Sequence, residues 1–187
     1  MIKFVEKVAR MPARHPSYPY VEPVSACPTP LEIEVLADGC AHEWGCRRGI
    51  SLDEICTNAG VDIEYSHYPN EIMLEIPLEA QPVIWLPRPS RKRDDRVIVA
   101  TALGHWALHL EKTRQANLGC GIQALYKPTS NQAREEARAF GAAFLMPKDT
   151  FFTFWSEGRS QAVSDHFDVP TEFVYLRAAS LELRDTG

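Results

Sequence analysis

Apolar residues change their period several times along this chain, and each change marks an element. From Leu31 to about Cys46, Leu31, Val35, Leu36 and Trp44 recur at helical spacing. Ser51 with Glu54 then forms the Ser-x-x-Glu box that opens a second, short helix ending near Asn58-Ala59-Gly60. Alternation takes over after Gly60. Val61, Ile63 and Tyr65 predict one strand, Ile72 to Ile76 a second and Val83 to Leu86 a third, with turns at Pro69-Asn70 and between Pro77 and Pro82. The helical period returns from Val97 to Lys112, where only Gly104 interrupts it, and predicts a buried helix. A glycine-bearing loop around Leu118 to Gly121 precedes a long helix from about Asn131 to Leu145, closed by Pro147. The tail predicts a helix near Gln161 to Phe167, a turn at Asp168-Val169-Pro170 and a last helix from Thr171 to about Leu183.

Ahead of these elements, residues 1–30 hold Pro12, Pro16, Pro19, Pro23, Pro28 and Pro30. Each proline forbids a helix interior and a central strand position. With Tyr18, Tyr20 and Val21, this segment reads as an extended arm laid against the domain or a partner. The domain proper is then 31–187, and its order of helices and short strands predicts an α+β fold, with a small, mostly antiparallel sheet packed against helices and a helical C-terminal segment.

Composition narrows the class. With 187 residues, 45% hydrophobic and 24% charged, the chain is one globular domain rather than a disordered, collagen-like or coiled-coil protein. No apolar run approaches the roughly 18 residues a membrane span needs, so no membrane role and a cytoplasmic location are expected. A net charge of -5 gives no global field toward nucleic acid. The local exception is the basic stretch 87–96, where Arg88, Arg91, Lys92, Arg93 and Arg96 make either a solvated connector or an anion or partner site; Arg88, Arg91, Lys92 and Arg93 are the candidate binding residues. The five cysteines, Cys27, Cys40, Cys46, Cys56 and Cys120, are odd in number and scattered, which predicts reduced thiols. Cys40, His42 and Cys46 cluster, but not at a zinc spacing, and the cysteines read as ordinary buried thiols.

Candidate chemistry lies on the Val97 helix, VIVATALGHWALH to His109. Two histidines four apart on a helix project onto one metal, and a glutamate beside the first polarises its bound water. The window Leu103-Gly104-His105 with Leu108-His109 resembles the helix of the ImmA/IrrE family of metallopeptidases, His-Glu-Leu-Gly-His with a further His. Residues 136–147, EARAFGAAFLMP, resemble that family's next helix, and His166-Phe167-Asp168-Val169-Pro170 its closing segment. The resemblance covers about 50–185 and implies a zincin-like core. In its register Thr101 stands where the first ligand belongs and Ala102 where the catalytic glutamate belongs, while His105 and Glu136 keep the remaining ligand positions.

The resemblance therefore implies a pseudoenzyme, with no catalytic residue at Thr101 or Ala102. Two remaining ligands hold zinc weakly, so no cofactor is expected. Family members act on or with helix-turn-helix repressors in phages, mobile elements and stress responses. A protein partner such as a transcriptional repressor is accordingly expected. Two alternatives stay open. His105, His109 and Glu136 make a different three-ligand set for an active peptidase, and the segment from Ala162 to Arg177 has the spacing of a DNA-binding helix-turn-helix, although Asp165, Asp168 and Glu172 oppose phosphate. His105 also reads simply as a core histidine bonded to Glu136, and His109 as its buried neighbour.

Overall fold

The structure is a computed structural model and describes residues 17–46, 50–67, 70–156 and 160–183. In chain order its elements are β1 (Tyr20–Val21), α1 (Pro30–Glu43), α2 (Leu52–Ala59), β2 (Asp62–Ser66), β3 (Ile72–Ile76), β4 (Val83–Pro87), α3 (Lys92–Ala116), β5 (Gly121–Leu125), α4 (Gln132–Leu145), α5 (Lys148–Trp155), α6 (Ser160–Phe167) and α7 (Thr171–Ser180).

Local chemistry accounts for the helix ends. Thr29 accepts from the Glu32 amide at 3.3 Å while the Glu32 carboxylate accepts from the Thr29 amide at 2.7 Å, a reciprocal box that starts α1. Ser51 accepts from the Glu54 amide at 3.1 Å and starts α2, which Gly60 ends at a φ of 72°, a left-handed turn that glycine adopts without strain. The predicted Leu31 face of α1 is not the buried one. Leu31 and Val35 are 72% and 66% exposed, and the smaller set Ile33, Ala37, Cys40 and Ala41 turns inward. Helix α1 packs on α4, and small side chains let the two backbones approach.

The sheet has the order β1-β5-β3-β4-β2. Its centre is antiparallel, β3 against both β4 and β5, and both edge ladders, β1 on β5 and β2 on β4, are parallel. The expectation of a mostly antiparallel sheet thus holds at the centre and fails at the edges. The cause is connectivity: β3 inserts between β4 and β5 in space, which leaves β2 to run beside β4 in its own direction. Strands β5 and β1 lie outside the predicted three. Leu74, Ile76, Ile84, Leu86, Ile122 and Ala124 put one face of the sheet into the main core, and α3 packs against β3, β4 and β5.

Helix α3 begins at Lys92, five residues before the predicted start. Asp94 and Asp95 sit in its first turn, where the positive end of the helix dipole favours them, so a charged stretch becomes helix. Helix α5, absent from the prediction, follows directly on Pro147. Helices α3 and α4 cross on small residues. A Cβ placed on Gly104 would stand 2.5 Å from the Ala137 carbonyl oxygen, so this contact requires glycine, and one on Gly141 would stand 3.0 Å from the Ala100 carbonyl carbon, a tight fit against backbone. Around the crossing, Leu103, Phe140 and Phe144 are sealed from solvent, with the two phenylalanine rings stacked at 5.8 Å.

The described part of the arm belongs to the same body. Gly121 donates to the Pro19 carbonyl at 2.9 Å as β1 joins β5. Leu78 donates to the Tyr18 hydroxyl at 3.1 Å, and the Val24 amide donates to Thr113 at 2.9 Å. Residues 1–16 of the predicted arm and Pro69 of the predicted turn lie outside the described residues. At the other end, the apolar residues of the tail, Val163, Phe167, Phe173, Val174 and Ala178, enter the core. Arg177, without solvent exposure, donates to the Met146 carbonyl at 3.0 Å and to both oxygens of Glu34, one at 2.9 Å, tying α7 to α1.

Candidate functional site

The middle of α3 and the first turns of α4 bring the predicted site residues together. His105 and His109, one turn apart, are 4% and 1% exposed. His109 Nε2 lies 2.9 Å from a Glu136 oxygen, and its Nδ1 lies 3.1 Å from His105 Nδ1. The carboxylate of Glu136 accepts, so His109 carries its proton on Nε2, and its bare Nδ1 then accepts from His105 Nδ1–H. His105 reaches Glu136 through His109, not by a direct bond. Glu135, next in sequence, is exposed.

Two groups of the arm complete the network. The Ser25 hydroxyl donates to one Glu136 oxygen, and the Ala26 amide donates to the other at 3.0 Å. Sequence reasoning missed both, because residues some 110 positions away leave no local pattern at Glu136. Burial raises the Glu136 carboxyl, but the Ser25 hydroxyl, His109 and the Ala26 amide outweigh it and hold the group below the usual carboxylate range. Burial likewise pushes His105 down to about 3, with help from His109 and Arg134, and keeps His109 below its ordinary value against the opposing pull of Glu136. The cluster is an ionised carboxylate serving neutral rings.

Thr101 and Ala102 contribute no chemistry to it. The Thr101 hydroxyl donates to the Val97 carbonyl at 2.8 Å, a bond within its own helix, and Ala102 has no exposure. The zinc implied by the resemblance does not fit the residues present. His109 turns one nitrogen to His105 and the other to Glu136, so the three groups form a line instead of converging on a point. Among the described residues no three His, Cys, Asp or Glu side chains are placed to hold one ion. Cys40 and Cys46 do not supply one: burial pushes each thiol up to about 11.

The basic stretch meets the chain's own carboxylates. Arg88 pairs with Asp95 at 3.1 Å and lies 4.0 Å over the Tyr65 ring. Lys92 pairs with Asp168 at 3.1 Å, while Arg93 reaches Asp165 at 2.8 Å and Asp168 at 3.3 Å. Arg91, exposed, is the N-cap residue of α3.

An α+β body with a sheet backed by a long helix, on which histidines four apart face a glutamate of the next helix, has the zincin-like architecture. The chain belongs to the family of the IrrE N-terminal-like domain, a peptidase family, whose model matches residues 56–179. Among solved structures, a Mycobacterium tuberculosis transcriptional regulator is similar in fold, with a TM-score of 0.56 and 20% identity over 83% of this chain and 49% of that one. The chain thus spans about half the length of that regulator. No curated protein matches the chain. Among the described residues, no helix is long and apolar enough to cross a membrane.

Proposed function

We propose that this chain is a catalytically inactive IrrE-like regulatory module of the cytoplasm that binds a protein partner, with a helix-turn-helix repressor the expected class. The observation that carries this reading is the pairing of Thr101 and Ala102, which offer neither ligand nor base, with a Glu136 whose oxygens are already taken by His109, Ser25 and Ala26. Description of the similar mycobacterial protein as a transcriptional regulator supports a regulatory setting. Pairing of Arg88, Lys92 and Arg93 with Asp95, Asp165 and Asp168 favours a protein partner over DNA. A partner entering the old cleft has to displace Ser25 and Ala26 from Glu136.

Elemental analysis of the purified chain tests the inactive reading. Well under one equivalent of zinc is expected, with a melting temperature that a chelator leaves unchanged. The second reading, an active peptidase on His105, His109 and Glu136, draws on the gathering of those three groups in one corner. Stoichiometric zinc that is lost in His105→Ala, together with cleavage of a repressor substrate, would establish it in place of the first. In the inactive reading, Thr101→His with Ala102→Glu restores zinc binding, since both side chains return to the helix turn before His105.

A further inference from the structure

A second buried polar cluster lies nine residues before His105 on α3, where the start of that helix meets the end of α4, α5 and the end of α6. A cavity of about 330 Å³ opens there, within the size range of small-molecule sites. One wall is apolar, formed by Ile50, Phe144, Leu145 and Phe167, and the polar side holds Arg96, Lys92, Asp168, His166 and Thr150.

Arg96 is the unusual member. It is 8% exposed, its Nε is sealed from solvent without a hydrogen-bond partner, and no carboxylate of the described residues lies within ion-pair distance of it. A guanidinium is always charged, and burying one of its N–H donors without an acceptor is costly. The same chain buries Arg177 and gives it the Met146 carbonyl and both oxygens of Glu34. Asp168 stands near Arg96 but is held by Lys92 at 3.1 Å and Arg93 at 3.3 Å, so its charge is already countered.

We infer that the cavity beside Arg96 binds a small organic monoanion with an apolar body, of the class of aromatic or short-chain carboxylates. The planar fork of the guanidinium matches a carboxylate in two-point contact, and the apolar wall takes the hydrocarbon. A single unpaired cation with Asp168 at the rim suits one negative charge better than two. This inference is independent of whether the His105 cluster has any activity.

The probes are sodium benzoate and sodium hexanoate, titrated into the full chain by calorimetry and thermal melts, with benzyl alcohol as the neutral analogue and sodium chloride at matched ionic strength. Saturable binding of at least one carboxylate is expected, with benzyl alcohol at least tenfold weaker. Arg96→Met should weaken the carboxylate at least tenfold and, without ligand, melt no lower than the parent chain, because it removes a buried N–H donor that lacks an acceptor. The inference is overturned by no saturable uptake of either carboxylate, by unchanged affinity in Arg96→Met, or by a chloride response equal to that of benzoate, which marks an adventitious ion only. A large fall in the melting temperature of ligand-free Arg96→Met also overturns it, since the guanidinium would then be a satisfied structural group.

Discussion

Helix α3 carries two buried polar clusters built on opposite terms. In its middle, His105, His109, Glu136, Ser25 and Ala26 hand hydrogen bonds along a closed line in which each donor has an acceptor and the rings stay neutral. At its start, Arg88, Lys92 and Arg93 find carboxylates while Arg96, more deeply buried than any of them, finds none. The family motif directs attention to the first cluster. Completeness of hydrogen bonding directs it to the second. A satisfied buried network is stable as it stands, whereas a buried cation whose Nε lacks an acceptor beside a cavity leaves room for an anion. Within one helix, the inherited site reads as structure and the unassigned one as a place for chemistry.

The largest test of this contrast is to loosen the packing under the closed cluster. Phe140, without exposure and stacked on Phe144, lies one turn beyond Glu136 on α4. Phe140→Ala should cost about 3–5 kcal/mol, a large part of the roughly 5–15 kcal/mol that holds a domain folded. Denaturant unfolding measures it. A cost under about 1 kcal/mol, the scale of a surface change, would mean that the α3–α4 crossing is not the core that fixes the histidines.

A smaller loss is expected from the network itself. Glu136→Ala removes an ionised acceptor from His109, Ser25 and Ala26, and because the carboxylate keeps some contact with solvent, where water can replace it, the total cost should be about 1.5–3 kcal/mol, the scale of one hydrogen bond to a charged group. Hydrogen exchange at the Ala26 amide should quicken in this variant, while carboxylate binding at Arg96 stays unchanged. Unaltered exchange at Ala26 would show that the arm is held by β1 and the Val24–Thr113 bond without help from Glu136.

Acid should act on the closed cluster in the same direction. His105 titrates near 3 in the folded chain and near 6.5 when unfolded, so below about pH 6.5 the unfolded state takes up protons that the folded state refuses. His109, also lowered, adds to this. The lowered carboxyl of Glu136 contributes stability above its unfolded value that is lost as pH falls through its folded one. The two histidines predict a melting temperature that declines steadily from pH 7 toward pH 4, with Glu136 adding to the fall only below about pH 4.5, and a shallower decline in His105→Gln. A flat profile would mean that the rings are protonated in the fold.

How much of this the sequence discloses depends on how local each signal is. Helices α2, α4, α6 and α7 and strands β2 to β4 were legible because a cap, a period or a bounding proline sits within a few residues of each. Strand β5 was not: Gly121-Ile122-Gln123-Ala124-Leu125 becomes a strand by pairing with β3, and β1 is two residues held against it. The company of His105, His109 and Glu136 was foreseeable from helical spacing and the family register. Their hydrogen bonds to Ser25 and Ala26 depend on the path of the arm across the sheet edge, which no window of sequence encodes. Arg96 was visible as one of five basic residues, but nothing in its neighbourhood separates it from Arg93. Burial decides between them, and burial is a property of the assembled α3, α4 and α6.

The smallest expected effect lies at the rim of the open cluster. Lys92 and Asp168 have side chains 81% and 36% exposed, and their 3.1 Å pair contributes at most about 1 kcal/mol, which salt screens further. Lys92→Ala should therefore leave the melting temperature nearly unchanged. Its effect on binding is indirect but has a definite sign. With Lys92 gone, Arg93 alone counters Asp168, whose charge then opposes an anion at Arg96, so benzoate should bind a few-fold more weakly at low salt and almost normally at high salt. Calorimetry at two ionic strengths separates the terms. A loss as large as that of Arg96→Met, persisting at high salt, would make Lys92 the residue that grips the anion and would move the site from the buried fork to the exposed rim.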